Sequence, residues 1–248
     1  MKTPLSPSRA RKGYTLVEVL ITLAILVLTL AMCLSLLVTS LKVMYKDTQR
    51  LATNGTLRNL TAQVAKETVD SSEFYIFPTY QKLDGSVDLT TDVSTADATN
   101  TTDYYGDCLV LVTRVTDTGA STNIRQWRVY YRVVTTPSTD GPIRFYESTD
   151  WGATTGSSSS LTTLLNAVNL NSDPTAGGAS RILAKTARGR PRPSGTSNYP
   201  IFNSNAATLL TNVNQSVSIN VEIINGNLSG AGSLVSSSSF NYTISPRR

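Results

Sequence analysis

The sequence predicts an α+β protein: a long N-terminal α-helix, transmembrane in its first half and amphipathic in its second, packed on an antiparallel β-sheet head. Two observations support this fold class. Residues 19–41 carry no charge, and apolar residues continue after them at helical spacing. Further along the chain, several short segments alternate apolar with polar residues between turn-forming residues, which is typical of β-strands.

The apolar run is long enough to cross a lipid bilayer. Val19 to Leu41 is 23 residues without a charge, and a helix of this length spans about 35 Å, more than the roughly 30 Å of bilayer hydrocarbon. A cleavable secretory signal has a shorter apolar region with a small-residue cleavage site after it, and neither feature occurs before Lys42. We therefore expect a membrane-spanning helix.

Basic residues are concentrated on the N-terminal side of this run. Four cations and no acid precede Gly13, so the positive-inside rule predicts a cytoplasmic N-terminus and an exported chain after Leu41. The same residues account for most of the formal net charge of +5, and the chain from Tyr14 onward carries only +1. That balance does not indicate a nucleic-acid-binding protein. The four residues are Lys2, Arg9, Arg11 and Lys12.

One acid, Glu18, lies directly before the apolar run. A carboxylate costs on the order of 2–3 kcal/mol at the centre of a bilayer helix and less at its edge, so an acid at this position is a candidate functional residue. The alternative that its position leaves open is an interfacial glutamate whose carboxylate reaches the lipid headgroups.

The residues around Glu18 form a recognisable pattern of a basic residue, a glycine, an aromatic residue and an acid ahead of the apolar run. Residues 12–21, KGYTLVEVLI, resemble the prepilin signature of type IV pilins and of the pseudopilins of type II secretion. The resemblance covers the leader, the cleavage junction and the apolar helix, and it implies a pilin-like fold. Tyr14 stands where phenylalanine is usual. The helix also lacks the proline that is common in major subunits, which favours a minor subunit.

The resemblance implies roles for individual residues. A prepilin peptidase would cut after Gly13, the new amino group of Tyr14 would be methylated, and Glu18 would pair with the Tyr14 amino group of a neighbouring subunit. Because an unpaired carboxylate is costly in a low dielectric, this pairing would favour the filament. The implied partners are the peptidase, other pilin or pseudopilin subunits, an inner-membrane assembly platform and, before assembly, membrane lipid. We expect no cofactor.

We expect four segments in a single-pass protein of the bacterial inner membrane, with its head in the periplasm or, after assembly, at the cell surface. In the amphipathic segment, Leu57, Leu60 and Val64 recur at helical spacing, and we expect them to dock on the sheet together with Leu51 and Ala65. The segments are a leader (1–13), a transmembrane and filament-core helix (14–41), its amphipathic continuation (42–71) and an exported β-rich head (72–248).

The head contains seven extended segments and one short helix in our interpretation. Turn-forming residues separate the central three, which indicates an antiparallel meander. Their order resembles that of the J-type minor pseudopilins and the W-type minor pilins. The extended segments are 74–78, 107–116, 123–134, 142–148, 181–187, 217–223 and 240–244, and the helix is 161–168, capped by Ser160.

One predicted strand places Arg128, Tyr130 and Arg132 on the same face, with Arg114 on a neighbouring strand. Arginines interleaved with a tyrosine can bind single-stranded DNA through charge and stacking, and some minor pilins serve DNA uptake. We favour a solvent-facing row of cross-strand pairs over DNA contacts. A head that acts as a receptor for DNA or a surface is the alternative function.

The sequence argues against an enzyme. It contains no histidine, which removes the commonest general base and every Ser-His-Asp arrangement. It also contains no P-loop and no G-x-S-x-G motif. The acids between residues 79 and 106 do not follow the spacing of a calcium-binding EF-hand, so we favour a solvated loop and predict no metal site.

Overall fold

The structure, a computed structural model, describes residues 14–80, 104–115, 123–133, 140–152, 155–168, 180–189, 198–204, 216–225 and 236–244. These ranges contain two α-helices and nine β-strands. The helices are α1 (Leu16–Val69) and α2 (Leu161–Val168). The strands are β1 (Glu73–Phe77), β2 (Tyr104–Gly106), β3 (Cys108–Arg114), β4 (Ile124–Arg132), β5 (Gly141–Glu147), β6 (Arg181–Arg188), β7 (Phe202–Ser204), β8 (Val217–Asn225) and β9 (Ser236–Ile244).

Helix α1 is a single element that contributes to two compact units, one ending at Thr48 and the other beginning at Gln49. Its 54 residues continue through Gly55 without interruption. Among the described helices, α1 is long and apolar enough to cross a membrane by length and composition, and its most apolar 18 residues have a mean hydropathy of 2.8. The expected long N-terminal helix is confirmed.

Beyond Thr48, α1 packs on the sheet through one apolar face. The side chains that we predicted at the centre of this face are buried, with 0–5% of their surface exposed. The prediction for Leu51 is wrong, because 72% of its surface is exposed. Thr61 lies on the buried face instead, and its hydroxyl donates to the Leu57 carbonyl at 3.0 Å, which satisfies the polar group. The confirmed positions are Leu57, Leu60, Val64 and, partly buried, Ala65.

The strands form one antiparallel sheet in the order β1-β3-β4-β5-β6-β8-β7-β2, with β9 paired to β8 off this path. Strands β3 to β5 form the predicted meander. Strand β6 pairs with β5, and β8 pairs with β9 over nine residues. Two strands were not predicted, β2 and β7. They have three residues each and pair with one another, and nothing in so short a segment distinguishes a strand from a loop.

Both faces of the sheet are covered, and strand β4 divides the core between them. Tyr130 belongs to the apolar cluster that includes α1, whereas Trp127, Val129 and Tyr131 belong to a second cluster with Leu165 of α2. This alternation agrees with the predicted faces of β4. Because both faces of the sheet are covered, β3 is apolar along nearly its whole length, and its residues 108–112 are all buried.

Helix α2 begins where the sequence predicts. The Ser160 hydroxyl oxygen accepts a hydrogen bond from the Thr163 backbone N–H at 3.2 Å, which is the geometry of an N-cap. Leu165 is buried, and Leu161, Leu164 and Val168 pack partly buried against the second cluster. The short helix therefore closes the face of the sheet that α1 leaves uncovered.

Candidate processing and assembly site

The first turn of α1 is closed by reciprocal hydrogen bonds between Thr15 and Glu18. The Thr15 backbone N–H donates to Glu18 Oε2 at 2.9 Å, and the Thr15 hydroxyl donates to the same oxygen at 3.1 Å. In return, the Glu18 backbone N–H donates to Thr15 Oγ1 at 3.3 Å. This is a capping box, in which a threonine N-cap and a glutamate three residues later satisfy each other's backbone N–H groups.

The capping box gives Glu18 a structural role that our sequence reasoning missed. The Thr-x-x-Glu spacing ahead of an apolar run was a sufficient signal for it. The carboxylate also lies at the positive end of the helix dipole, which stabilises a negative charge there. Glu18 therefore has partners within its own chain, and it does not enter the apolar segment as an unpaired acid.

Tyr14 and the helix that follows it are accessible to other molecules. Tyr14 is 88% exposed, and every side chain that the structure describes from Tyr14 to Thr48 is exposed. An apolar surface of this length is covered by lipid or by other helices in a functional protein. The residues before the junction, Arg9, Arg11, Lys12 and Gly13, lie outside the described residues.

Comparison with known protein families decides what this segment is. Residues 8–34 match the family model of the prokaryotic N-terminal methylation motif. The methylation motif contains the predicted junction, and it indicates a type IV pilin-like protein that a prepilin peptidase processes and that assembles with other pilin subunits. Proteins of this kind are structural and not catalytic. No curated protein and no solved structure gives a significant match to the chain.

The methylation motif and helix α1 together indicate single-pass anchoring in the inner membrane. The motif begins at residue 8, within the predicted leader, and covers the apolar run as far as residue 34. Helix α1 supplies the length and hydropathy for a span. The prepilin resemblance read from residues 12–21 is confirmed at this level.

The structure places Arg132 in the core and not on a solvent-facing row. Its Nη2 lies 2.6 Å from Asp107 Oδ2 and its Nε lies 3.1 Å from Oδ1, and both side chains are almost fully buried. Asp107 Oδ1 also accepts a hydrogen bond from the Ile201 backbone N–H at 3.1 Å. The interpretation of Arg132 as a surface residue is wrong, because the sheet is covered on both faces and the arginine is held there by a buried carboxylate.

The other two candidate arginines also face carboxylates. Arg128 Nε lies 2.7 Å from Glu147 Oε1 and 3.8 Å from Glu67 Oε2. Arg114 forms two hydrogen bonds to Glu73, both of 2.9 Å. Nucleic acid binds to concentrated positive charge, and here each positive charge is balanced locally. The geometry therefore does not support the DNA contacts considered for Arg114, Arg128 and Arg132.

A polar contact fastens the second half of α1 to β4. The Tyr130 hydroxyl donates to the carboxylate of Glu67, whose side chain is only 16% exposed. Burial raises the pKa of Glu67, and the Tyr130 hydrogen bond and the Arg128 charge oppose that shift. Burial and the neighbouring carboxylate raise the pKa of Tyr130. Glu67 follows Val64 by three residues, which places it at the edge of the buried face of α1.

Proposed function

We propose that this protein is a minor subunit of a type II secretion pseudopilus or of a type IV pilus, of the J-type or W-type kind. Prepilin peptidase cuts after Gly13 and the new amino group of Tyr14 is methylated. Glu18 then pairs with the Tyr14 amino group of a neighbouring subunit. The observation that carries the proposal is the exposed Tyr14–Glu18 segment, which heads an exposed apolar helix that continues unbroken to Val69.

The charges around the junction support a defined orientation. Arg9, Arg11 and Lys12 keep the leader (1–13) in the cytoplasm. Residues 14–41 cross the inner membrane in contact with lipid and later form the filament core, residues 42–71 continue the helix, and the head (72–248) is exported. The inner-membrane assembly platform then moves the processed subunit from the bilayer into the filament.

The capping box supports a specific route from membrane to filament. A carboxylate that lost all partners in the bilayer would be strongly disfavoured. In the single chain, Thr15 supplies two hydrogen bonds to Glu18 Oε2. In the filament, the amino group of a neighbouring subunit supplies a charged partner, which is stronger than a neutral donor. Glu18 thus gains a better partner on assembly without being unpaired at any stage.

The uninterrupted helix supports the assignment as a minor subunit. No proline lies between Pro7 and Pro78, and α1 contains no break between Leu16 and Val69. Proline removes a backbone hydrogen bond and bends a helix, and the bend is a common feature of major pilins.

The junction is tested by substituting Gly13 with alanine in the full chain. We expect Gly13→Ala to retain the leader, to lack N-methylated Tyr14 in mass spectrometry, and to be absent from the sheared filament fraction. Gly55→Ala is the matched control, because Gly55 lies in α1 and an added Cβ would meet nothing within 4 Å. Normal processing and filament recovery of Gly13→Ala would show that the proposed junction is wrong.

A further inference from the structure

A polar cleft lies at one end of strands β4, β5 and β6. Its volume is about 500 Å³, which is within the range of small-molecule sites in proteins. None of the residues around it takes part in the proposed processing and assembly. The lining residues are Gln126, Phe145, Glu147, Ser148, Thr149 and Arg181.

Glu147 presents a carboxylate oxygen to this cleft. Its Oε1 accepts hydrogen bonds from Arg128 Nε at 2.7 Å and from Gln126 Nε2 at 3.1 Å, which hold the carboxylate in place. Its Oε2 accepts no hydrogen bond from any residue that the structure describes, and 44% of the side chain is exposed. Because a carboxylate has acceptor sites on both oxygens, Glu147 can accept from a ligand without releasing Arg128.

Arg181 presents a guanidinium group from the neighbouring strand. Its Nη2 donates to Gln63 Oε1 of α1 at 3.0 Å, and its Cζ lies 5.2 Å from the centroid of the Phe145 ring. These contacts hold the planar group in place. In the described part of the chain, the other N–H donors of Arg181 have no acceptor, so they are available to an incoming carboxylate.

The two charged groups are neighbours that do not pair with each other. Arg181 lies opposite Phe145 in the register of β5 and β6. Glu147 is two residues further along β5, so it is the diagonal neighbour of Arg181 on the same face, at a spacing of about 7 Å. Glu147 forms its ion pair with Arg128 instead. The cleft therefore keeps a negative and a positive group apart, with space between them.

We propose that this cleft binds a free α-amino acid. Glu147 accepts from its α-ammonium group, and Arg181 donates to its α-carboxylate. An α-amino acid carries both charges on one carbon atom, so it can contact both groups across the space between them. The two contacts are charge-assisted hydrogen bonds, which are stronger than neutral ones. All the groups involved belong to one chain, so the inference does not depend on processing or assembly.

The charges around the cleft favour a ligand without net charge. Arg181 is linked through Gln63 to Glu67, and Arg128 lies between Glu67 and Glu147. In this network two positive charges balance two negative ones. Complementarity with separated but balanced charges favours a zwitterion over a net anion or cation.

The lining also favours a ligand with a small or polar side chain. Phe145 is only 5% exposed and is covered by Arg181, so the lining offers little apolar surface to a large apolar group. The exposed side chain of Thr149 has a hydroxyl group with no partner among the described residues, and a hydroxyl can donate to or accept from a polar side chain. Serine is therefore a suitable probe.

The test is isothermal titration calorimetry of the full chain in detergent with three probes. L-serine carries both charges, serinamide lacks the carboxylate, and N-acetylserine lacks the ammonium group. We expect saturable binding of serine, and binding of the two analogues that is weaker by about tenfold or more, because each loses a charge-assisted hydrogen bond. No saturable heat with serine up to its solubility would overturn the proposal, as would equal binding of the three probes.

Substitutions assign the two contacts to their residues. Glu147→Gln should weaken serine binding by about tenfold and change N-acetylserine binding little, since that probe has no ammonium group to lose. Arg181→Gln should have the corresponding effect, with serinamide as the probe that changes little. Arg125→Gln is the matched control, because Arg125 pairs with Asp150 at similar exposure and does not line the cleft.

Chemical denaturation of each variant confirms that the head remains folded. If Arg125→Gln weakens serine binding as much as the two cleft variants do, serine binds elsewhere and the proposal is wrong. The same conclusion follows if folded Glu147→Gln and Arg181→Gln bind serine as the unmodified chain does.

Discussion

At the scale of single residues, Glu18 combines two properties that are usually separate in a helix terminus. It closes the first turn of its own helix with Thr15, and it presents a negative charge beside the exposed Tyr14. The first property requires a hydrogen-bond acceptor, whereas the second requires a charge. Substitutions can therefore separate the local role of Glu18 from its proposed role between subunits.

We expect Glu18→Gln to remain in the membrane and to be processed, but to assemble poorly, because the amide retains an acceptor for the cap and loses the charge for a neighbouring amino group. Thr15→Ala should weaken the helix cap but affect assembly less than Glu18→Gln does. It loses about 1 kcal/mol of capping and keeps the carboxylate, so filament recovery should fall less. The measurement is the ratio of sheared filament to membrane-bound subunit on a blot. Equal recovery of Glu18→Gln and the unmodified chain would contradict the proposed pairing.

Arg132 shows at the same scale what a sequence pattern cannot predict. Alternation along β4 correctly placed Arg132 with Arg128 and Tyr130 on one face. Its burial depends on Asp107 and on the backbone of Ile201, which come from distant parts of the chain. The alternation of residues along one strand contains no information about partners from distant segments. Arg132 was therefore assigned to the surface.

At the scale of secondary-structure elements, the two halves of α1 differ in how well the sequence predicts them. The first half follows from an uncharged run beside basic residues, because hydropathy alone decides its surroundings. In the second half, helical spacing identified Leu57, Leu60 and Val64. The same spacing wrongly included Leu51, since periodicity does not tell where along a helix the sheet begins.

The contact between α1 and β4 predicts how stability changes with pH. Burial raises the pKa of Glu67 above its ordinary value of 4.5. A carboxyl group with a raised pKa in the folded state stabilises the fold while it is protonated. This contribution is complete below the unfolded-state pKa and is lost as the pH rises through the folded-state pKa. The free energy of unfolding should therefore fall with rising pH over this range, to a degree set by Glu67.

We expect Glu67→Gln to lose less stability than the unmodified chain as the pH is raised from below 4.5, because the amide does not ionise. The measurement is chemical denaturation of the full chain in detergent at a series of pH values. Glu147→Gln is the control, since it removes another carboxylate from Arg128 at a more exposed position. A difference between Glu67→Gln and the unmodified chain that stays constant with pH would contradict the buried-carboxyl interpretation.

At the scale of the whole molecule, the boundary between Thr48 and Gln49 separates two different surroundings. Before it, every described side chain is exposed and most are apolar. After it, two apolar clusters fill the two faces of one sheet. The strand pattern predicted this sheet except for β2 and β7, whose three-residue pairing depends on chain segments that are far apart in sequence.

A chain that begins at Gln49 should be soluble without detergent and should unfold cooperatively, because it loses the exposed apolar surface and keeps both clusters. The full chain should partition into the detergent phase of a cloud-point separation. A chain that begins at Glu73 is the control. It lacks Leu57, Leu60 and Val64 of the first cluster, and it should aggregate or unfold at lower denaturant. Equal stability of the two fragments would show that α1 does not contribute to the core of the head.

The hydrogen bond from Ile201 to Asp107 also bears on the order in which the parts of the chain fold. It joins residues 94 positions apart, whereas the hydrogen bonds of α1 are local. Helices with local contacts form in microseconds, and sheets that depend on distant contacts fold orders of magnitude more slowly. The helix therefore forms while the head is still an open chain. During that interval the unpaired strands are exposed to proteases and to one another.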